Sequence, residues 1–274
     1  MKLLRRLNVG QQLFLIIISI SSIYPVWFIL QTAMKTNEEY MLRPLKLPRH
    51  LGFENIRQVF DAFPVLHWAL NSVIVCVFSV ALSTIIALFA SYSIIFGGWK
   101  STKAMINANI ALMVIPPVTL LIPMFGLMVN LHLMNTLPSV IFFYTGLFLP
   151  FSIFLLSNFM KSVPKDLMDA AKIDGLTAFA TLGRIVAPLS SAAIFTLMLV
   201  NAIYAWNELL IAMVFLQQQN VRTLMSGLVL FQGRFSTNIP LVMAGALISI
   251  IPPIFMYIFG QRYFVKGMLS GIGK

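Results

Sequence analysis

The chain has 274 residues, of which 59% are hydrophobic and only 10% charged, and its formal net charge is +11. A mean hydropathy of +0.90 is more apolar surface than one water-soluble core can absorb, which excludes an ordinary soluble domain and indicates a polytopic membrane protein. The single cysteine, Cys76, lies in an apolar run, so a disulfide framework within the chain is excluded and no redox chemistry is signalled.

The opening stretch, MKLLRRLNVGQQLFLIIISISSIYPVWFIL, starts like a secretory signal, but its apolar run outlasts an h-region and has no small-x-small cleavage site. It reads as a retained first span, 13–33. Windows of about 20 apolar residues then mark 71–96, 104–130, 137–160, 191–215 and 241–260. The expected fold is therefore all-α, with six transmembrane helices in one domain over 1–274. Pro25 and the Pro116-Pro117 pair fall inside spans. Proline removes a backbone donor there, so those spans are expected to be kinked or broken. Residues 34–70 carry mixed charge and Pro44, Pro48 and Pro64, which suits a connector with a short surface helix.

Orientation follows from the basic residues. With a cytoplasmic N-terminus, twelve lie inside: Lys2, Arg5, Arg6, Lys100, Lys103, Lys161, Lys165, Lys172, Arg184, Arg262, Lys266 and Lys274. Seven lie outside: Lys35, Arg43, Lys46, Arg49, Arg57, Arg222 and Arg234. Both termini are thus expected in the cytoplasm. The positive charge is explained by topology and attraction to the inner leaflet, which leaves nothing for a nucleic-acid partner to explain.

Motifs for chemistry are missing. There is no G-x-x-x-x-G-K-[ST] phosphate loop, so the chain is not expected to hold ATP itself. His50, His67 and His132 are scattered, with no zinc spacing, and no G-x-S-x-G or paired-carboxylate arrangement suggests an enzyme.

One segment stands apart, KDLMDAAKIDGLTAFATLGRIVAPLS from Lys165, with three aspartates and three basic residues. Val163-Pro164 is a helix-start signal. Leu167, Ala170, Ala171 and Asp174 recur at helical spacing, Gly175 permits a sharp turn, Thr177 suits the cap of a second helix through Ile185, and Pro188 begins the next span. The result is a helix-turn-helix platform outside the membrane, 163–188. Its alanines allow close approach of another protein, and Asp169, Lys172 and Asp174 are free to pair with one. From composition alone, a solvated cytoplasmic loop whose charges keep it in water is the preferred reading.

The pattern D-A-A-x-x-D-G from Asp169, nine residues, then I-x-A-P from Ile185 to Pro188 resembles the cytoplasmic E-A-A, three residues, G, nine residues, I-x-L-P loop of ABC importer permeases. Asp169 stands for the family glutamate and Ala187 for the leucine. NSVIV at Asn71, IPMFGLMVNLHLMNTLPSVIFFY from Ile122, YAWNELL from Tyr204 and SIIPPIFMYIFGQRYFVKGMLSGIGK from Ser249 extend the likeness to the shorter permease subunit of maltose-type, carbohydrate-importing systems. The resemblance implies a type I importer permease in a bacterial or archaeal plasma membrane. It also implies a second permease, two ATPase subunits that hold ATP and Mg, and an extracytoplasmic binding protein that delivers sugar. The coupling residues it implies are Asp169, Ala170, Ala171, Lys172, Asp174, Gly175, Ile185 and Pro188.

In the fifth span Asn201, Tyr204 and Glu208 fall at i, i+3 and i+7 and should share one face, a candidate substrate path. The plain alternative has Glu208 solvated at the outer interface and Trp206 in an aromatic belt. Ser72, Ser79, Ser83 and Ala90 form a small-residue stripe that favours close helix packing. The polar loop 217–240 passes for a connector, and in the family its equivalent reaches into the binding protein. A secondary transporter or channel independent of ATP is the competing class, but the Pro116-Pro117 break has no counterpart in the second half. An intramembrane enzyme is a distant third.

Overall fold

The computed structural model describes residues 8–228 and 238–272, with side chains as far as Gln261. Lys2, Arg5, Arg6, Arg234, the middle of the 217–240 loop, the side chains of Arg262 and Lys266, and the terminal Gly-Lys pair lie outside the described residues.

Every regular element among the described residues is helical. Helix α1 (Val9–Ala33) is followed by α2 (Asn37–Leu42), α3 (Glu54–Ala62), α4 (Val65–Phe96), α5 (Thr102–Leu112), α6 (Leu121–Asn130) and α7 (Leu137–Met160). Then come α8 (Lys165–Ile173), α9 (Ala178–Thr181), α10 (Ala187–Leu189), α11 (Ser191–Asn207), α12 (Leu210–Phe215) and α13 (Ile239–Ile272). Among the described residues, four helices are long and apolar enough to cross a membrane: α1, α4, α7 and the 239–261 part of α13. The spans become six when two bent pairs are each counted as one.

The first bent pair is α5 with the Pro117–Asn130 segment, which turns by 89°. Pro116 and Pro117 remove two successive donors and force the expected break. The second pair is Ala178–Leu189 with α11, bent by 79°. Pro188 therefore lies in the short α10 before the bend, and the span itself starts at Ser191, not at Pro188. At Pro25 the alternative of a break is excluded: helix α1 runs through it uninterrupted, since one missing donor is tolerable within a 25-residue helix. Pro150 in α7 and Pro252-Pro253 in α13 are likewise internal to their helices.

The chain divides into two compact units, Met1–Leu66 with Gly227–Ile251, and His67–Ser226 with Pro252–Lys274. In the first, the connector is more built than its composition suggests. Thr36 caps α2 by accepting from the Glu39 N–H at 3.1 Å. Asn55 Nδ2 donates to Ala33 O at 2.8 Å and Lys35 O at 2.7 Å, which satisfies carbonyls at the end of α1. Lys35 is 1% exposed, and its ammonium donates to Pro44 O at 2.7 Å and Arg43 O at 3.3 Å. Burial pulls its pKa below the ordinary 10.5, against the opposing Glu39 carboxylate.

The second unit carries the core that positions the site. Ala87 of α4, Leu156 and Met160 of α7, Met168 of α8, Leu182 and Val186 of the π-turn after α9, and Ala193 and Leu197 of α11 form one buried cluster. Ser72, Ser79 and Ser83 are buried as well. Ser79 donates to Val75 O at 2.6 Å, Ser83 to Val80 O at 3.1 Å, and Ser72 Oγ accepts from the Leu224 N–H at 2.8 Å. Ser79 and Ser83 satisfy their hydroxyls within α4 and Ser72 pins the 222–224 segment, a packing role in keeping with the small-residue stripe.

Candidate functional site

The platform begins where Pro164 caps α8, one residue earlier than a first-turn proline. Helix α8 ends in a Schellman arrangement, in which Leu176 N–H donates to Ala171 O at 2.9 Å and Gly175 N–H to Lys172 O at 3.1 Å. Gly175 has φ +72°, so its lack of a Cβ is required by the turn. Thr177 then caps α9, its hydroxyl accepting from the Ala180 N–H at 3.3 Å.

Amphipathic spacing splits the platform into two faces. Met168 and Ala171 turn inward with Leu182 and Val186. Ala171 is therefore packing, whereas Ala170 is exposed beside Asp169, Lys172, Asp174 and Gly175. Ile185 is half-buried and Pro188 exposed. Lys172 pairs with Asp169 of its own helix at 3.6 Å. Both are exposed, so the pair contributes little. The outward face also carries apolar residues that spacing did not single out: Ile173 is 86% exposed, Phe179 is 73% exposed, and Phe179 stacks on Phe89 with centroids 5.9 Å apart. For Ile173 the signal was available, since a large apolar residue stood on the polar side of the short amphipathic α8.

The expected stripe in the fifth span is only partly realised. Asn201 is buried and donates through Nδ2 to Ser152 Oγ on α7 at 3.1 Å. Tyr204 is half exposed, and its ring meets Phe148 edge-on at 5.6 Å. Glu208 does not continue their face, because α11 stops at Asn207 and Glu208 is extended, with ψ 127°. Its carboxylate folds forward to accept from the Ile211 N–H at 3.0 and 3.1 Å and the Ala212 N–H at 3.3 Å. Negative charge at the exposed N–H groups of α12 compensates for the break. The same carboxylate accepts the hydroxyl of Tyr144 on α7. Glu208 is thus a latch between α7 and the two halves of the fifth span, not a solvated side chain. Trp206 is buried, so it does not belong to an interfacial belt.

Asn201 and Tyr204 line a pocket of about 240 Å³ with Pro117, Leu147, Phe148, Phe151 and Val200. It brings the break in the third span against the fifth. A larger hollow of about 390 Å³, lined by Met113, Met124, Phe142 and Phe151 among others, contains none of the expected path residues.

Sequence reasoning also missed how the 217–224 segment is held. His67 Nε2 meets Asn220 O at 2.7 Å, Trp68 Nε1 donates to Gln219 O at 2.7 Å, and Asn71 Nδ2 donates to Arg222 O at 2.9 Å and Asn220 O at 3.1 Å. From the other side, Asn135 Oδ1 accepts from the N–H groups of Gln217 at 2.8 Å and Gln218 at 3.1 Å. Asn71 alone carried a signal, within NSVIV.

Among the described residues, an all-helical arrangement with apolar spans, two bent pairs and an amphipathic platform built into the core of those spans is that of a multi-pass membrane protein. Residues 83–270 match the family model described as binding-protein-dependent transport system inner membrane component, and the chain belongs to this family. The sulfoquinovosyl glycerol transport system permease protein SmoH of Agrobacterium fabrum is 32% identical over 93% of this chain and 90% of its own length. The melibiose/raffinose/stachyose import permease protein MelC of Bacillus subtilis is 30% identical over 94% of each. A crystal structure of a bacterial ABC transporter involved in the import of the acidic polysaccharide alginate contains a chain of the same fold, with TM-score 0.80 at 23% identity over 93% of this chain and 95% of that one. Family membership decides for the permease over the ATP-independent carrier and the intramembrane enzyme.

Proposed function

We propose that this permease carries a sugar or oligosaccharide inward, as one of two permease subunits in a bacterial or archaeal plasma membrane. Relatives whose names specify a sulfoquinovosyl glycoside and raffinose-type oligosaccharides support the substrate class. An extracytoplasmic binding protein hands the sugar over, and one of two ATPase subunits holding ATP and Mg seats against residues 163–188. Both termini face the cytoplasm in this reading, in keeping with the twelve-to-seven division of basic residues. The chain acts as one permease domain and binds no nucleotide itself.

The observation that carries the reading is the two-faced platform. Its outer face offers Ile173, Phe179, Ala170 and the Asp169, Lys172 and Asp174 charges, and its inner face belongs to the cluster formed by α4, α7 and α11. Movement of a docked ATPase is thereby coupled to the spans. In the substrate path, Asn201 and Tyr204 offer an amide and a phenol beside aromatic rings, a combination suited to sugar hydroxyls and apolar sugar faces.

The test is a cysteine at Ile173, cross-linked in the purified importer. A product with the ATPase subunit that forms in one nucleotide state and weakens in another is expected, and ATP-dependent uptake should fall with it. No product in any state, with uptake intact, would remove the coupling assignment.

A further inference from the structure

Residues 41–53, MLRPLKLPRHLGF, break the usual pattern of a water-facing loop. They hold Arg43, Lys46, Arg49 and His50 but no acidic residue. Leu42, Leu45, Leu47, Leu51 and Phe53 are 62 to 79% exposed. Connecting loops ordinarily turn polar side chains outward, and apolar residues exposed in a continuous run mark an interaction surface.

The strip is held in shape. Lys35 Nζ fastens the carbonyls of Arg43 and Pro44, and the Arg49 N–H donates to Glu39 Oε1 at 2.8 Å. These pins draw polar groups of the connector inward and leave the leucines outside. Pro44 and Pro48 further restrict the backbone between them.

Its position identifies what it meets. Helix α1 has 25 residues, about 37 Å at 1.5 Å per residue, against a hydrocarbon core of about 30 Å. Its end at Ala33 therefore lies at headgroup level, and the strip begins eight residues later.

We propose that residues 41–53 form a membrane-surface anchor. The leucines and Phe53 enter the boundary between headgroups and acyl chains, while Arg43, Lys46 and Arg49 pair with anionic lipid phosphates. Charge complementarity and continuity with α1 both favour a lipid surface over a protein groove. The inference rests on α1 being a span and is independent of the substrate.

The test uses the full chain with its co-purifying subunits, reconstituted into vesicles of phosphatidylcholine with or without phosphatidylglycerol. On a Cys76→Ser background, an environment-sensitive fluorophore is attached at Leu45→Cys, with Leu47→Cys as a second position and Glu38→Cys as the water-facing control. Blue-shifted emission at both strip positions is expected, with quenching by shallow spin-labelled lipid several-fold above that by aqueous iodide. The reverse ranking is expected at residue 38. Replacing Arg43, Lys46 and Arg49 by Gln should lower phosphatidylglycerol retention several-fold without changing uptake in phosphatidylcholine. Iodide quenching at the strip would overturn the proposal, and so would shielding from both quenchers, which would place protein over it.

Discussion

Gly175 offers the sharpest test of the platform, because its substitution cost is separable from its size. Its φ of +72° lies in the left-handed region, and a Cβ built there meets no heavy atom within 4 Å. Steric clash within the chain is therefore absent, leaving the conformational term of about 1–2 kcal/mol for an L-residue. That corresponds to roughly a 5- to 30-fold loss in the population holding the turn. Asn tolerates this region better than Ala, and β-branched Val tolerates it worst. Uptake of labelled sugar by vesicles carrying the whole importer should fall in the order Gly, Asn, Ala, Val. Gly175→Val should be near zero while its membrane level, read by immunoblot, stays normal. Full transport by the Val variant would show that the turn is not needed in the working state. An Asn variant as poor as Val would show that a partner surface, and not φ, limits the site.

Glu208→Gln removes the charge, and Tyr144→Phe the donor, of a charge-assisted hydrogen bond, a class worth about 1.5–3 kcal/mol. Both should lower maximal uptake at saturating sugar, with a non-additive double variant; a change confined to limiting sugar would restore Glu208 as a sugar ligand. Tyr204→Ala should instead raise the half-saturating sugar concentration measured by vesicle uptake. Asp169→Ala should leave ATPase retention in detergent within a few-fold of normal, because its ion pair with Lys172 is exposed, whereas Ile173→Asp should release the subunit. Cysteines at Ser101 and Lys172 should resist an impermeant thiol reagent added outside whole cells, and one at Asn220 should react.

Local rules located much of the architecture. Hydropathy alone placed α7 at its observed ends, and the two prolines at 116 and 117 located the 89° break, because both features are written in adjacent residues. Gly175 and Thr177 were legible for the same reason: a left-handed turn and a helix cap are local chemistry. The break after Asn207 was not legible, since no proline or glycine marks it and a continuous 3.6-residue period was the natural assumption. It depends on a carboxylate reaching forward three residues and on a tyrosine 64 positions earlier in the chain. Buried Lys35 and the pinned 217–224 segment were hidden likewise, because their hydrogen bonds come from tertiary placement and leave no periodic trace.

Helix α7 connects the two sites in one rigid element. Its Leu156 and Met160 belong to the cluster that holds Met168, Leu182 and Val186, while Phe148 lines the Asn201 and Tyr204 pocket, Ser152 accepts from the Asn201 amide, and Tyr144 reaches the Glu208 latch. From Met160 to Tyr144 is sixteen residues, about 24 Å along the axis. Interiors packed to crystal density shift between discrete arrangements and do not deform smoothly. Displacing the platform must therefore move α7 as a body, rearrange its contacts with α11, or release Tyr144 from Glu208. A double-mutant cycle between Met160→Ala and Tyr144→Phe, read as binding-protein-stimulated ATP hydrolysis, distinguishes these routes. Coupling beyond about 0.5 kcal/mol between residues this far apart would show that α7 transmits the motion, since independent sites at such a distance add. Additivity would assign transmission to α11 instead.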